Sequence, residues 1–300
     1  NLVSHHSFIA SQIYVLHIDI KTNAKGQFMS NLVKSIVILI TFIVSHMFMK
    51  ELWGDTWSDT LLEWDGHTYV LHSLARWVFI YSPFIVFALY LFRNEHWTDV
   101  MGLKPDVGSR YLVAAVGCCM PMILGYAFLT KGINPSIADI VTGSVYPALF
   151  EEVIFRAILF GLLFRVCKWG FIPAALTSSL IFGFGHLYQS HDIGSALMLF
   201  AFMAVAGSWF AWLYCECGYR VWFPMWMHLI MNAAYGFFNM SGGAMGEASA
   251  NIFKALTIVL SIAYVIWLIR QGKPQQVTKA RLWSNQNKSA ATPSSNLNVV

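Results

Sequence analysis

Three ionisable side chains stand close together inside a stretch that is otherwise apolar. Glu151, Glu152 and Arg156 lie within residues 145–164, a run long enough to cross much of a membrane. A charged group at the centre of a bilayer costs about 2.5–3.5 kcal/mol on insertion scales, so such residues generally mark a functional site. This stretch is therefore the first candidate for chemistry.

The spacing within this stretch suggests different roles for the two carboxylates. Glu152 and Arg156 are four residues apart, so on a helix they share a face and can form an ion pair. Glu151 lies about 100° around the helix from Glu152, and we expect that the two carboxylates cannot share a single partner in the same way. We assign Glu152 to the ion pair and Glu151 to the chemistry. The alternative is a salt bridge that only packs helices.

Two later apolar stretches each carry a histidine with a partner residue at the same spacing of four. Phe182 and His186 share one helical face near the end of the first, and His228 and Asn232 share a face in the second. A histidine near a membrane interface is commonly a hydrated side chain, and a buried asparagine commonly joins two helices by hydrogen bonding. The pairing of His228 with Asn232 on one stripe nevertheless favours a site.

These residues together match the requirements of peptide-bond hydrolysis. A carboxylate can act as general base on water, and a neighbouring histidine can position that water or carry its proton. A histidine and an asparagine can donate hydrogen bonds to the developing oxyanion. Glu151, His186 and His228 could instead hold a divalent metal such as zinc with a bound water. The sequence does not separate these chemistries, although it lacks the H-E-x-x-H helix of common zinc proteases.

The composition indicates the elements that must position these side chains. The chain is 57% hydrophobic and 11% charged, whereas soluble domains carry about 25% charged residues. Eight apolar segments of roughly membrane-spanning length predict an all-α, polytopic membrane protein, a bundle of about eight transmembrane helices. Their approximate bounds are 33–49, 71–92, 111–129, 143–165, 171–187, 194–214, 221–240 and 251–269. Because the basic residues fall in short loops and near the C-terminus, we expect no nucleic-acid partner.

The distribution of lysine and arginine predicts the orientation. Most of these residues fall in the segments on the side of the N-terminus, which indicates that both termini are cytoplasmic and the number of spans is even. A bacterial inner or plasma membrane is the expected location. This orientation places Glu151 and His186 toward the outer half of the membrane.

The chain divides into five predicted segments. They are a disordered or non-native extension at 1–28, N-terminal helices at 29–135, a catalytic core at 136–240, the last transmembrane helix at 241–270 and a disordered cytoplasmic tail at 271–300. Met29 is the expected natural start, and the polar composition of the tail is the basis for predicting disorder there. Glu216 and Arg220 are expected to form a surface pair in a short loop.

Three motifs in a fixed order carry a resemblance to a known family. They are E-E-x-x-x-R (Glu151, Glu152, Arg156), F-x-x-x-H (Phe182, His186) and H-x-x-x-N (His228, Asn232). In this order on successive membrane helices they resemble the CPBP family, the CAAX-protease and bacteriocin-processing group of Rce1-like intramembrane proteases. The resemblance covers about residues 140–240. Ala157 departs from the family pattern, where glycine often follows the arginine, and this should alter packing rather than chemistry.

The resemblance implies a role for each motif residue. It implies an eight-helix bundle in which Glu151 and His186 activate water. His228 and Asn232 would stabilise the oxyanion, and Glu152 would pair with Arg156. The implied activity is that of an intramembrane endopeptidase acting on membrane-associated or lipidated peptides within the lipid bilayer, with no obligatory metal. The alternative function is a non-catalytic membrane partner, such as a bacteriocin self-immunity or sensor-modulating protein.

Overall fold

The chain folds as a bundle of helices. The computed structural model describes residues 31–57, 66–93, 96–130, 132–134, 136–190, 192–241 and 245–285. Within these ranges there are eight main helices and no named β-strand. The helices are α1 Asn31–Trp57, α2 Gly66–Leu91, α3 Gly108–Leu129, a composite α4 at 137–166, α5 Phe171–Phe184, α6 Ile193–Glu216, α7 Trp222–Phe237 and α8 Ala248–Arg270. The predicted all-α architecture is confirmed.

Several of these helices have the dimensions of membrane spans. In the described part of the chain, α1, α2, α3, α6 and α8 are long and apolar enough to cross a membrane, and α5 is a shorter apolar helix. Helices α4 and α7 carry the ionisable residues that the sequence analysis identified. The fold is that of a polytopic all-α membrane protein, as the composition predicts.

Contacts at one end of the bundle bring together the start of α1, the end of α4, the start of α5 and the segment after α8. Trp169, which follows α4, donates its indole N–H to the Ser35 hydroxyl in the first turns of α1, at 2.7 Å. The backbone N–H of Ile172, at the start of α5, donates to the carbonyl of Leu282, beyond the end of α8, at 2.9 Å. The start of α1 and the end of α8 therefore lie at the same end of the bundle.

Helix α4 lies at the centre of the bundle and is wound more widely than an ordinary α-helix. It consists of α-helical Ile137–Ile140, π-helical Val141–Val145, α-helical Tyr146–Glu151, and π-helical Glu152–Phe160 and Leu162–Val166. Every residue from Glu152 to Phe164 is buried, because α1, α2, α5, α6 and α7 all pack around this helix. Single π-helical turns inside helices are frequent at functional sites.

Small residues set the close approach of neighbouring helices. A Cβ atom built on Gly207 of α6 would lie 2.6 Å from the Ser179 hydroxyl oxygen of α5. Glycine at such a position lets two helix backbones approach closely, as is common between membrane helices. This contact holds α5 on α6 and so fixes the position of His186, which follows the end of α5.

Residues 271–285 pack against the bundle, so the prediction of a disordered tail is wrong for this part of the chain. Asn285 is buried and donates from Nδ2 to the carbonyl of Phe164 at 2.7 Å. The Arg281 guanidinium lies over the Phe164 ring, 4.8 Å from its centroid. The polar side chains that suggested disorder are satisfied by groups at the helix ends. Residues 286–300 and the predicted extension at 1–28 lie outside the described residues.

Glu216, the last residue of α6, holds this C-terminal segment through hydrogen bonds. Its side chain is fully buried, and its two carboxylate oxygens accept hydrogen bonds from the backbone N–H groups of Gln276 (2.9 Å) and Val277 (2.8 Å). The predicted surface pair with Arg220 is wrong, since Arg220 lies 3.6 Å from Asp99 instead. A buried carboxylate is tolerated here because it accepts charge-assisted hydrogen bonds from two backbone donors.

Candidate active site

The ion pair between Glu152 and Arg156 lies in the core of α4. Arg156 Nε is 3.3 Å from Glu152 Oε2, and the two side chains are only 3% and 0% exposed. A buried charge without a partner is strongly destabilising, so each residue makes the burial of the other possible. The pairing that the spacing predicts is present, on a π-helical segment rather than on an ordinary α-helix.

Two aromatic rings enclose the Arg156 guanidinium. Its central carbon lies 4.7 Å from the ring centroid of Phe182 on α5 and 5.3 Å from that of Phe210 on α6. Arg156 Nη1 is buried and has no hydrogen-bond partner among the described residues. Cation–π attraction is strengthened where water is excluded, so the rings supply stabilisation that hydrogen bonds to this atom do not. Side chains of α4, α5 and α6 thus pack together around the Arg156 guanidinium.

His228 on α7 lies between the two glutamates. Its Nδ1 is 2.9 Å from Glu152 Oε1, and its Nε2 is 3.8 Å from Glu151 Oε2. The two carboxylates thus have His228 as a common partner, but each contacts a different nitrogen, so they do not share it in the same way. The physical reason is that imidazole has a nitrogen on each side, so one ring contacts carboxylates that project in different directions from α4.

His186 lies in the turn that follows α5. Its Nδ1 is 2.9 Å from the Phe182 carbonyl oxygen, and its ring centroid is 4.4 Å from that of Phe182. Donation from Nδ1 to this carbonyl fixes the ring orientation and leaves Nε2 as the nitrogen available for other partners. Of the two motif histidines, His228 is the one whose ring nitrogen lies 3.8 Å from a Glu151 carboxylate oxygen.

Asn232, one turn beyond His228 on α7, contacts the backbone of α4. Its Nδ2 donates to the carbonyl of Gly143 at 3.3 Å. Pro147 lacks the N–H that would bond to this carbonyl in an α-helical pattern, which favours its use by a donor from another helix. One amide hydrogen of Asn232 is used in this way, and the amide group has a second.

Two residues near the cluster were not identified by the sequence analysis. Phe210 stacks on Arg156 and also lies near His228, with ring centroids 5.5 Å apart. Tyr81 of α2 is buried in the same core cluster as Phe155 of α4. Both residues occur in stretches rich in aromatic side chains, so neither spacing nor composition distinguished them from core residues.

The predicted alternative of a metal site can be tested on the positions of its donors. The candidate ligands were Glu151, His186 and His228. Among the residues that the structure describes, no three His, Cys, Asp or Glu side chains are arranged to hold a metal ion. A histidine that binds a metal through one nitrogen commonly donates its other N–H to a carboxylate, so the contact of His228 Nδ1 with Glu152 is compatible with either chemistry.

The cluster forms a continuous polar chain from Arg156 through Glu152 and His228 to Glu151. Glu152 contacts one nitrogen of His228, and the other nitrogen faces Glu151. Glu151 and His228 are 12% and 13% exposed, so they lie at the edge of the buried chain where a substrate or water could reach them. Surrounding aromatic residues exclude bulk water, which strengthens electrostatic interactions.

The fold and this cluster define a class: an all-helical membrane protein whose central helices bring carboxylates, an arginine, histidines and an asparagine together. Comparison with known families gives a more specific assignment for the part of the chain that carries this cluster. Residues 133–234 match the family model described as Type II CAAX prenyl endopeptidase Rce1-like. The match includes all the predicted site residues on α4, α5 and α7. The resemblance found in the sequence is confirmed, and the chain carries an Rce1-like segment.

One curated relative also supports this assignment. The chain is 40% identical over 93 residues to a Bacillus subtilis (strain 168) protein described as "Putative membrane peptidase YdiL". The alignment covers 31% of this chain and 34% of that protein, so the chain matches about a third of the relative's length. No solved structure matches the chain.

Proposed function

We propose that this protein is an intramembrane endopeptidase that hydrolyses peptide bonds of membrane-associated or lipidated substrates. The observation that carries the proposal is the contact of His228 with both Glu151 and Glu152, with Glu152 paired to Arg156. This arrangement keeps one carboxylate for structural support and leaves the other at the accessible edge. The family match over residues 133–234 supports the same reaction class.

In the proposed reaction, Glu151 is the general base. Its carboxylate removes a proton from a water molecule while the water oxygen attacks the carbonyl carbon of the scissile peptide bond. His186, whose Nδ1 is held by the Phe182 carbonyl, positions this water through Nε2 and carries the proton from Glu151 toward the leaving group. The proton then passes to the leaving amine as the carbon–nitrogen bond breaks. The products are a new carboxylate and a new amine.

His228 and Asn232 are the proposed oxyanion donors. When His228 carries both protons, Nδ1–H donates to Glu152 and Nε2–H is available to the negative oxygen of the tetrahedral intermediate. The second amide hydrogen of Asn232 can donate to the same oxygen while the first remains on the Gly143 carbonyl. Donors fixed in advance by the protein stabilise the intermediate without further reorganisation.

The substrate class follows from the setting of the site. A peptide that reaches Glu151 must enter among apolar helices, so a membrane-embedded segment or a lipidated peptide is the fitting substrate. The prenylated substrates suggested by the family description are one such group. We place the protein in a bacterial inner or plasma membrane with both termini on the cytoplasmic side, as the lysine and arginine distribution predicts.

Substitution of the proposed base tests the activity. Glu151→Gln is expected to lower kcat/KM by about 10²–10⁴-fold, because the amide cannot accept the water proton. His186→Ala is expected to lower it less. Turnover of a fluorogenic membrane peptide by the purified protein measures both effects. Substrates are found beforehand by comparing membrane and secreted peptides from cells that carry the parent or Glu151→Gln.

Glu51→Gln is the matched control for this experiment, because Glu51 is an exposed carboxylate on α1, far along the chain from the cluster. It should retain parental activity. Parental rates in both Glu151→Gln and His186→Ala would refute the assignment. A cellular phenotype that survives loss of Glu151 would favour the alternative function, a non-catalytic immunity or sensor-modulating partner.

A second prediction concerns the metal. Because the donors do not converge on one position, we propose that activity requires no bound metal. Protein purified without chelators should contain no stoichiometric zinc, and its turnover should be unchanged by a chelator. Loss of activity on chelation that is restored by one added divalent cation would contradict this proposal.

A further inference from the structure

A polar cavity separate from the candidate active site lies at the end of the bundle where the C-terminal segment packs. Its volume is about 360 Å³, and it is lined by residues from four separate parts of the chain. Arg165 and Lys168 come from the end of α4, Tyr219 from the loop between α6 and α7, and Arg281 and Asn285 from the C-terminal segment. Nothing in the proposed hydrolytic reaction uses these residues.

The cavity is strongly positive. Arg165, Lys168 and Arg281 are cationic, and none of the described residues that line the cavity carries a carboxylate. The Tyr219 hydroxyl adds no negative charge to the cavity, because a tyrosine is neutral at physiological pH and burial raises the pKa of this one further. Three cations around one cavity repel each other, and an anionic ligand would remove that repulsion.

Neutral groups hold the central cation in place. Arg281 Nη1 donates to the Gln276 carbonyl at 2.8 Å, and Nη2 donates to the Tyr219 hydroxyl oxygen at 3.0 Å. Arg281 Nε donates to Asn285 Oδ1 at 2.5 Å. These contacts orient the guanidinium without neutralising it. Because Arg281 Nη1 also donates to Gln276 Oε1 at 3.3 Å, one Nη2 hydrogen remains for a charge-assisted hydrogen bond to a phosphate oxygen.

The backbone of two lining residues is held in an uncommon conformation. Lys168 and Tyr219 both have φ of +59°, in the left-handed region that disfavours side chains with a Cβ atom. Such conformations concentrate at ligand-binding and active sites, where the surrounding structure maintains them. In Lys168 this conformation is supported by its carbonyl, which accepts from the Asn285 N–H at 3.0 Å. The strain therefore coincides with the positive cavity.

The position of the cavity suits a group at the membrane boundary. Lys168 follows the end of α4, and Tyr219 follows the end of α6, so both lie just beyond apolar helices. Phe92, which follows α2, adds an apolar wall on one side. Lipid phosphates are found at this depth, immediately outside the hydrocarbon layer.

We propose that this cavity is a binding site for a phosphate group, carried either by an anionic lipid headgroup or by a soluble phosphate ester. Lys168 and Arg165 contact the phosphate from the side of α4, and Arg281 contacts it from the C-terminal segment. A bound phosphate then joins that segment to the end of α4. This inference is independent of the proposed peptidase activity.

The experiment uses the full chain and compares two phosphate sources. In one arm, retention of phosphatidylglycerol is measured by native mass spectrometry after purification from bilayers that also contain phosphatidylcholine. In the other arm, glycerol 3-phosphate is added to the detergent-solubilised protein and the rise in Tm is measured. Lys168→Asn removes one charge from the cavity, and asparagine tolerates the positive φ at this position.

Lys168→Asn should weaken binding of the effective source by about fivefold, the effect typical of one basic residue at a lipid surface. Lys279→Asn is the matched control, because Lys279 is an exposed lysine in the same segment that does not line the cavity. It should bind as the parent does. Arg281→Gln should weaken binding further, but it also loosens the C-terminal segment, so Lys168→Asn is the decisive variant.

The two arms identify the source. A strong effect of phosphatidylglycerol with none from glycerol 3-phosphate indicates a lipid headgroup, and the reverse indicates a soluble ester; either result supports the site. Equal behaviour of Lys168→Asn and Lys279→Asn would overturn the proposal. The proposal would also be overturned if neither phosphatidylglycerol nor glycerol 3-phosphate bound to the parent protein.

Discussion

At the scale of single residues, Glu152 connects a structural ion pair to the proposed chemistry. One of its oxygens faces Arg156 and the other accepts from His228 Nδ1 at 2.9 Å. Removing the cation would leave this carboxylate buried without its charge partner, and removing the carboxylate would free the His228 ring. Glu152 is therefore a positioning residue for His228 as well as the partner of Arg156.

Substitution of the arginine tests this double role. Arg156→Ala should lower the free energy of unfolding by about 3–5 kcal/mol, because it leaves Glu152 as an uncompensated buried charge and removes a cation from between two rings. Thermal unfolding of the purified protein in detergent measures the loss. An unchanged Tm would show that the pair is not needed for stability.

The double variant Glu152→Leu with Arg156→Met separates stability from positioning. Replacement of a buried ion pair by apolar residues of similar volume is often neutral or stabilising. We expect the double variant to recover most of the Tm while its kcat/KM stays low, since His228 has lost its acceptor. Recovery of both would mean that Glu152 does not orient His228.

At the scale of elements, the π-helical winding of α4 determines which of its groups contact α5, α6 and α7. Pro147 interrupts the hydrogen-bond pattern just before Glu151, and the Gly143 carbonyl is the acceptor used by Asn232 of α7. The wide turns that follow keep both glutamates and Arg156 in contact with α5, α6 and α7. The backbone of α4 thus helps to join the helices that carry the motifs.

Restoring the missing donor should disturb this junction. Pro147→Ala supplies an N–H that can bond to the Gly143 carbonyl and compete with Asn232. Loss of one such hydrogen bond typically costs about 0.5–1.5 kcal/mol, so kcat/KM should fall by roughly two- to tenfold while the fold is retained. Pro121→Ala in α3 is the control, because that proline also lies inside a helix but away from α4. An equal response of the two variants would contradict the proposed role of Pro147.

The helices and the local ion pair could be predicted from the sequence, whereas contacts between distant segments could not. The apolar segments and the spacing of four located the helices and the pair of Glu152 with Arg156, because both depend on local periodicity. The bridging of two carboxylates by His228 depends on how α7 approaches α4, and the π-helical winding depends on packing around α4; neither has a local signal. The polar residues of 271–285 resembled a disordered segment because their partners, such as Glu216, are distant in the chain.

At the scale of the whole molecule, Glu216 connects the membrane bundle to the C-terminal segment. It lies at the end of α6 and binds two consecutive backbone N–H groups about sixty residues later in the chain, at Gln276 and Val277. Hydrogen bonds to a charged acceptor contribute about 1.5–3 kcal/mol each, so loss of this anchor should open the segment locally without unfolding the helices. The same opening would separate Arg281 from Lys168.

Limited proteolysis measures that opening. In Glu216→Gln the amide retains one acceptor oxygen in place of two, and loss of about 1.5–3 kcal/mol of local stability should raise the rate of tryptic cleavage after Lys279 and Arg281 by roughly 10–100-fold. Glu247→Gln, at an exposed carboxylate preceding α8, should be cleaved like the parent. Thermal unfolding of the helices should change little, because the anchored segment lies outside the bundle. Parental cleavage rates in Glu216→Gln would show that the segment is held by its other contacts, chiefly those of Arg281 and Asn285 with the end of α4.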